Sequence, residues 1–242
     1  MSARRAELAA GLAAVRERIA RACEHAERDP GEIDLVVVTK FFPASDVRLL
    51  ADLGVTDVGE NRHQEAEAKH AELTELTDLS EAGLRWHFLG GIQSNKAAAI
   101  AAYADVVQSL DRVKVLRKLA AGAVEAGREV EVLVQVDLDP GDGSQSGDRS
   151  GVAPGQAAEL ATEVAGTDGV RLGGVMGVAP LGQDPAPAFA RLAEVAAAIR
   201  SDHAAATTLS AGMSGDLEAA IAAGATQLRV GSAILGERPS PQ

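Results

Sequence analysis

The chain of 242 residues predicts an α/β protein, a single (β/α)8 TIM barrel spanning 1–242 with one extra helix at its N-terminus. Three observations carry this expectation. Eight short strands rich in β-branched residues recur along the chain, and each but the last is followed by a segment with helical spacing. No charge block or proline-rich linker separates them, so no domain boundary is visible. The length also suits one barrel, for which about 250 residues is typical. A doubly wound open sheet is the alternative, but eight evenly repeated units favour closure.

The elements follow in order. Residues 3–27 form the extra helix, with Leu8, Leu12, Val15 and Ile19 three or four apart on one face. The first strand, 33–40, is a valine-rich run of the kind buried on both faces of a parallel sheet, and it ends in Lys40. Pro43 suits the first turn of a helix from about Ala44 to Leu53, closed by Gly54. A short strand at 56–58 runs into Gly59-Glu60-Asn61 and a polar helix through His70. The third strand, 85–89, ends in Gly90-Gly91, after which Ser94 starts an alanine-rich helix. The fourth strand is 105–110, with a helix over 111–125, and the fifth is 130–136. A glycine- and aspartate-rich loop at 139–148 leads to a helix near 154–165. The sixth strand, 172–178, is followed by a helix over 187–203, and the seventh is 207–210. A helix over 214–223, with Ser214 as N-cap, precedes the eighth strand, 227–230.

Composition narrows the function. Hydrophobic residues are 46% and charged residues 24%, ordinary for a globular chain, while 2% aromatic content leaves Val, Leu, Ile and Ala to fill the core. A net charge of −12 argues against nucleic acid and anionic membranes as partners, so any anionic ligand must be held by a local site. Cys23 is the only cysteine, which excludes an intramolecular disulfide and a cysteine-based zinc cluster. Asp137 and Asp139 lack a histidine or third fixed carboxylate, and no metal site is expected. No apolar run approaches the ~20 residues of a membrane span. The N-terminus lacks the apolar centre of a signal peptide. A cytoplasmic protein is expected.

In a barrel the carboxyl ends of all strands open on one mouth, where chemistry collects. Here that mouth carries Lys40, Asn61, His87, Ser109, Gln135, Met176, Ser210 and Arg229. A strand-end lysine ordinarily just reaches solvent, but only five of the 23 basic residues are lysine, so Lys40 is not a default choice. Ser210-Ala211-Gly212-Met213-Ser214-Gly215-Asp216 and Val230-Gly231-Ser232-Ala233-Ile234-Leu235-Gly236 are glycine/serine turns after strands seven and eight. Barrels commonly hold a phosphate there, on exposed backbone N–H groups. One such turn would be ordinary turn chemistry; two make a phosphate site the better reading. Arg229 is a costly charge in a barrel core, explained by an ion pair with Glu60 or Asp216 or by a phosphate-bearing ligand. His87 reads as a satisfied interior histidine, and Met176 taken alone as core. A lysine facing a phosphate site suggests Schiff-base chemistry with a phosphorylated aldehyde.

Val38-Thr39-Lys40, Gly59-Glu60-Asn61 with Gln64-Glu65, Trp86-His87-Phe88-Leu89-Gly90 through Gln93-Ser94-Asn95-Lys96, Leu209–Ser214 with Asp216, and Arg229-Val230-Gly231 resemble the pyridoxal phosphate homeostasis protein family over nearly the whole chain. The resemblance implies a barrel like the N-terminal domain of alanine racemase, with pyridoxal 5′-phosphate attached to Lys40. It also implies that Ser210, Ser214, Gly231 and Ser232 hold the phosphate and that Arg229 faces the pyridine nitrogen. Asn61, Met176, Gly212 and Met213 complete the expected cofactor-binding set. Arg149 stands near Gly151 where the family tends to show a lysine, so a transfer role tied to that lysine does not carry over.

Two functions are compatible with this set. One is a non-catalytic carrier that stores and delivers the cofactor through a reversible Schiff base on Lys40, with apo PLP-dependent enzymes as recipients. The other is a small PLP-dependent amino-acid racemase. Racemisation by two bases needs an acid/base group opposite the lysine, in racemases of this barrel type a tyrosine from a second domain. The only tyrosine here, Tyr103, is placed away from the mouth, and the chain ends soon after the barrel. An arginine at the ring nitrogen also weakens the ring as an electron sink. The carrier, as a monomer, is the expectation.

Overall fold

The computed structural model describes residues 3–76, 83–139 and 151–237, so most of the glycine-rich loop, with Arg149, lies outside the described residues. Strands β1 (Asp34–Val38), β2 (Asp57–Glu60), β3 (Arg85–Phe88), β4 (Val106–Leu110), β5 (Val130–Val136), β6 (Val170–Gly177), β7 (Thr208–Ser210) and β8 (Gln227–Val230) form a closed barrel in chain order. Neighbouring strands are parallel throughout, and β1 and β8 close the ring, with Leu35 opposite Leu228 and Val37 opposite Val230. The (β/α)8 TIM barrel with an extra N-terminal helix is therefore the fold.

Among the described residues the helices are α1 (Ala3–His25), α2 (Ala44–Ala51), α3 (His63–Leu76), α4 (Ala97–Ala101), α5 (Val113–Glu125), α6 (Ala157–Ala165), α7 (Ala186–Asp202), α8 (Leu217–Ala222) and α9 (Ser232–Leu235). The first strand ends at Val38, two residues before Lys40, and three further details depart from expectation near helix starts. The helix expected from Ser94 starts at Ala97, because Lys96 donates its backbone N–H to Gln93 O in a turn that comes first. The last strand is followed by a helix after all, the single turn α9. Asp216, not Ser214, stands at the N-cap of α8.

The main core lies between strands and helices, where Val37, Val58, Trp86, Val107, Val132 and Leu228 are buried against residues such as Leu50, Leu116 and Leu192. Each fully buried side chain of this size contributes about 1.5–3 kcal/mol relative to exposure. The barrel interior is different. Val106, Leu133 and Met176 form one small apolar cluster there. Asp57, His87, Gln108, Glu131, Ser210, Gln227 and Arg229 are also buried. Gln108 on β4 donates to Gln227 on β8 at 2.6 Å, a bond that strands on opposite sides of a ring make only through its middle. At the amino end of the strands Glu131 is bonded by Arg85 (3.0 Å) and by Arg171, closing the floor.

Two glycines set close approaches. Gly174 has φ +147°, and a Cβ there would lie 2.0 Å from Thr208 O, so only glycine lets β6 meet β7 beside the register shift opposite Leu133. On α1 the predicted face, Leu8, Leu12, Val15 and Ile19, is buried. Gly11 lets that helix lie directly on α9, since a Cβ would be 2.6 Å from Ile234 O. Arg4 bonds Asp46 at 2.6 Å and Leu235 O at 3.1 Å, and Arg18 bonds Ser214 O at 3.1 Å. The extra helix thus braces both turns that follow the last two strands. No helix among the described residues is long and apolar enough to cross a membrane.

Candidate functional site

A cavity of about 360 Å³ opens at the carboxyl end of the barrel, within the ~300–1,000 Å³ usual for small-molecule sites. Its wall is built from Val38 and Lys40–Phe42 at the end of β1, Met213–Gly215 after β7, and Arg229, Gly231 and Ser232 at the end of β8.

Lys40 sits on a segment fixed from below. Thr39 donates its backbone N–H to Gly59 O at 2.9 Å and its hydroxyl to Glu60 Oε1 at 2.7 Å. The buried Lys69 ammonium donates to Thr39 O (2.9 Å), Glu60 Oε1 (2.7 Å) and Glu65 Oε1 (2.7 Å). Glu65 also accepts from the backbone N–H of Phe41, so the residues on both sides of Lys40 are tied to one charge cluster. Phe41 is held at φ +72°, a left-handed conformation that costs a non-glycine residue about 1–3 kcal/mol. Arg62 lies over its ring at 5.0 Å from the centroid. Burial pushes the Glu60 carboxyl above its ordinary range despite Lys69 and Thr39, and its Oε2 is buried with no hydrogen-bond partner among the described residues.

Arg229 is 5% exposed and donates to Ser210 Oγ at 2.7 Å and to Gly177 O at 2.9 Å. Neither bond goes to a carboxylate. Burial draws its guanidinium down to about 10, opposed by the more distant charge of Asp216, so at neutral pH it remains a cation. Of the ion pairs considered from sequence, Glu60 is engaged by Lys69, and Asp216 accepts from the Met213 backbone N–H at 2.6 Å instead. That bond folds Met213–Asp216 into a tight turn and leaves Ser214 to face the cavity, where its hydroxyl stands 3.3 Å from that of Ser232. The two turns therefore meet. Gly231 lets the second turn lie close against the end of β1, because a Cβ would sit 2.9 Å from Val38 O.

Six of the residues expected from sequence, Lys40, Met213, Ser214, Arg229, Gly231 and Ser232, line this one cavity. Four do not. Asn61 lines a separate cavity of about 210 Å³ with Arg62, His63 and Lys96. Met176 is packed in the interior cluster, as a core methionine would be. Gly212 serves the turn itself, at φ +89° and with Ala220 Cβ 2.6 Å from where a Cβ would stand. Ser210 is fully buried, and its hydroxyl donates to Gln108 while accepting from Arg229, so it supports Arg229 rather than the turns. His87 is satisfied on both ring nitrogens, and Ser109 donates to Gly90 O at 2.6 Å. Tyr103 is buried against His63 and His70, and burial pushes its phenol far above the ordinary value. Sequence reasoning missed Phe41, Glu65 and Lys69; the i, i+4 spacing of Glu65 and Lys69 was the available signal.

The family model described as "Alanine racemase, N-terminal domain" matches residues 11–239. A pyridoxal phosphate homeostasis protein of Mycobacterium tuberculosis is 44% identical over 245 aligned residues, covering 97% of this chain and 94% of that one. One of Escherichia coli is 35% identical, covering 96% and 97%. Among solved structures, PipY of Synechococcus elongatus with PLP bound superposes with a TM-score of 0.77 at 32% identity, covering 95% of this chain and all of PipY. A D-threonine aldolase from Filomicrobium marinum, at 20% identity and a TM-score of 0.71, shares the fold.

Proposed function

The chain belongs to the alanine racemase N-terminal domain family and, within it, to the pyridoxal phosphate homeostasis proteins, and from that premise we propose that it binds pyridoxal 5′-phosphate to store and deliver it in intracellular cofactor homeostasis. The observation that carries the reading is one cavity joining an amine, a buried guanidinium and two hydroxyl-bearing turns. These match the three polar parts of the cofactor, namely aldehyde, ring nitrogen and phosphate. When bound, the cofactor supplies an aldehyde that forms a reversible imine with a lysine amine.

Lys40 is the residue we assign to covalent attachment. Ser214, Gly231 and Ser232, with Met213 beside them, would hold the phosphate through hydroxyls and bare backbone. Arg229 would hold the ring nitrogen; with donors only, it cannot take that nitrogen's proton. The pinned Thr39–Phe41 segment keeps Lys40 in place without a direct bond from Lys69 to the amine. Against a net charge of −12, attraction for an anionic cofactor comes from these local groups. The carrier reading takes one barrel domain, monomeric and cytoplasmic, with apo PLP-dependent enzymes as recipients.

The test is a titration of the apo-protein with pyridoxal phosphate, followed by borohydride reduction and peptide mapping. An imine absorbance that reduction locks onto the Lys40 peptide is expected. A Lys40→Ala protein that keeps the full band refutes the assignment. Deuterium exchange at the α-carbon of alanine or serine tests the racemase alternative, and turnover at a rate useful to a cell would replace the carrier reading.

A further inference from the structure

Arg229 is the mouth end of a hydrogen-bond chain that crosses the barrel. Its Nη1 donates to Ser210 Oγ at 2.7 Å, and the Ser210 hydroxyl donates to Gln108 Oε1 at 2.7 Å. The Gln108 amide nitrogen contacts His87 Nδ1 at 2.8 Å and Gln227 Oε1 at 2.6 Å. His87 Nε2 lies 2.8 Å from Asp57 Oδ1, at the floor. All of these side chains are buried.

The direction of every bond follows from which groups can donate. A guanidinium has no acceptor, so Ser210 must accept from Arg229, and its single proton goes to Gln108 Oε1. The Gln108 NH₂ then has only donors left, so His87 Nδ1 accepts and the imidazole proton sits on Nε2, facing Asp57. Turning the Gln108 amide over would set its oxygen against Gln227 Oε1 and against the His87 lone pair. Asp57 and His87 thereby fix the amide of Gln108, and the amide fixes the lone pair that receives Arg229. A buried cation with no carboxylate beside it is aimed this way.

We propose that Gln108, oriented by His87 and Asp57, is a positioning residue that sets the direction of Arg229 toward the ring of the bound cofactor. The proposal rests on the cofactor reading above. Gln108 does not line the cavity, and it acts through Ser210 and Arg229.

The experiment compares wild type, Gln108→Leu, Gln108→Glu, His87→Leu and His87→Asn, each checked for folding by circular dichroism. The readouts are affinity for pyridoxal phosphate and the pH at which the absorbance band of the bound cofactor changes. Gln108→Leu and His87→Leu are expected to weaken binding roughly tenfold or more. His87→Asn keeps an acceptor near the Nδ1 position and should recover part of that loss. Gln108→Glu still accepts from Ser210 but places an anion one hydroxyl from Arg229. Its second oxygen replaces the NH₂ that faced His87 Nδ1 and Gln227 Oε1, so, as with a turned amide, the chain loses its direction: binding weakens as in Gln108→Leu and the band transition departs from that of wild type, while Asp57, Asp216, Lys40 and Glu237 are unchanged. If Gln108→Leu fails to fold, the isosteric Gln108→Glu carries the test. Folded Gln108 variants with wild-type affinity and band transition overturn the proposal while leaving the cofactor reading intact. A wild-type protein that takes no label on Lys40 defeats that reading instead.

Discussion

Replacing Lys69 by methionine isolates the charge cluster beneath Lys40. Lys69 is 7% exposed and Glu60 1%, and the ammonium makes three bonds of 2.7–2.9 Å. Methionine fills similar volume but removes the positive charge, leaving the Glu60 carboxylate buried with Thr39 as its remaining partner. Breaking a buried pair in this way costs about 3–5 kcal/mol, which for a chain of this size lowers Tm by roughly 6–20 °C. The loss depends on pH with a definite sign. Burial already raises the Glu60 pKa, and loss of Lys69 raises it further. A group with a raised folded pKa contributes fully below its unfolded value and loses that contribution as pH rises through the folded one. The variant should therefore lose more near pH 8 than near pH 5, because protonation of the carboxyl removes the buried charge as pH falls. Urea unfolding at both pH values measures this, and Glu60→Gln in the Lys69→Met background should restore most of the loss. A Lys69→Met protein within about 1 kcal/mol of wild type at pH 8 would refute the reasoning.

Two further predictions concern the barrel itself. Gly174→Ala should cost more than about 3 kcal/mol, because its Cβ would lie 2.0 Å from Thr208 O on a φ of +147°; Gly155→Ala, with nothing within 4 Å, is the control and should change little. Equal unfolding midpoints for the two would contradict the close approach of β6 and β7. For Asp57, burial raises the carboxyl pKa, but the bonds from His87 and Thr56 and the charge of Arg85 outweigh it and leave the net value lowered. Its stabilisation is thus full above the ordinary value of 3.8 and lost as pH falls through the lower folded value. Stability followed from about pH 5 to about pH 2.5 should fall less steeply in Asp57→Asn than in wild type. Identical acid slopes would remove Asp57 from the account.

The barrel was legible because buried parallel strands advertise themselves: Val130–Val136 was read residue for residue, and Lys40 stood out as a lysine ending a valine run. Helix starts were less legible. Ser214 is a good N-cap residue, yet the helix starts only after Asp216, whose carboxylate closes the preceding turn on the Met213 N–H and makes no capping bond to the helix. Of the interior network, His87 was legible as a satisfied interior histidine, but its partners were not. Gln108 and Gln227 are 119 positions apart, and strand alternation says which face a side chain is on, not which side chain it meets across a closed ring. For the same reason Ser210 was assigned to the turns by resemblance, although its hydroxyl is spent below them on Arg229.

The cavity has a consequence for the order in which the protein is made. One wall comes from residues 38–42 and the other from residues 213–237, joined by the seam between β1 and β8. During synthesis Lys40 emerges long before anything that could face it. The pocket can exist only once the final strand has docked. A ligand that bridges the two walls therefore binds only the completed ring, and by mass action it holds that seam shut. Cofactor occupancy would then report a finished chain, and a protein stalled or clipped before its last strand would have nowhere to put the cofactor.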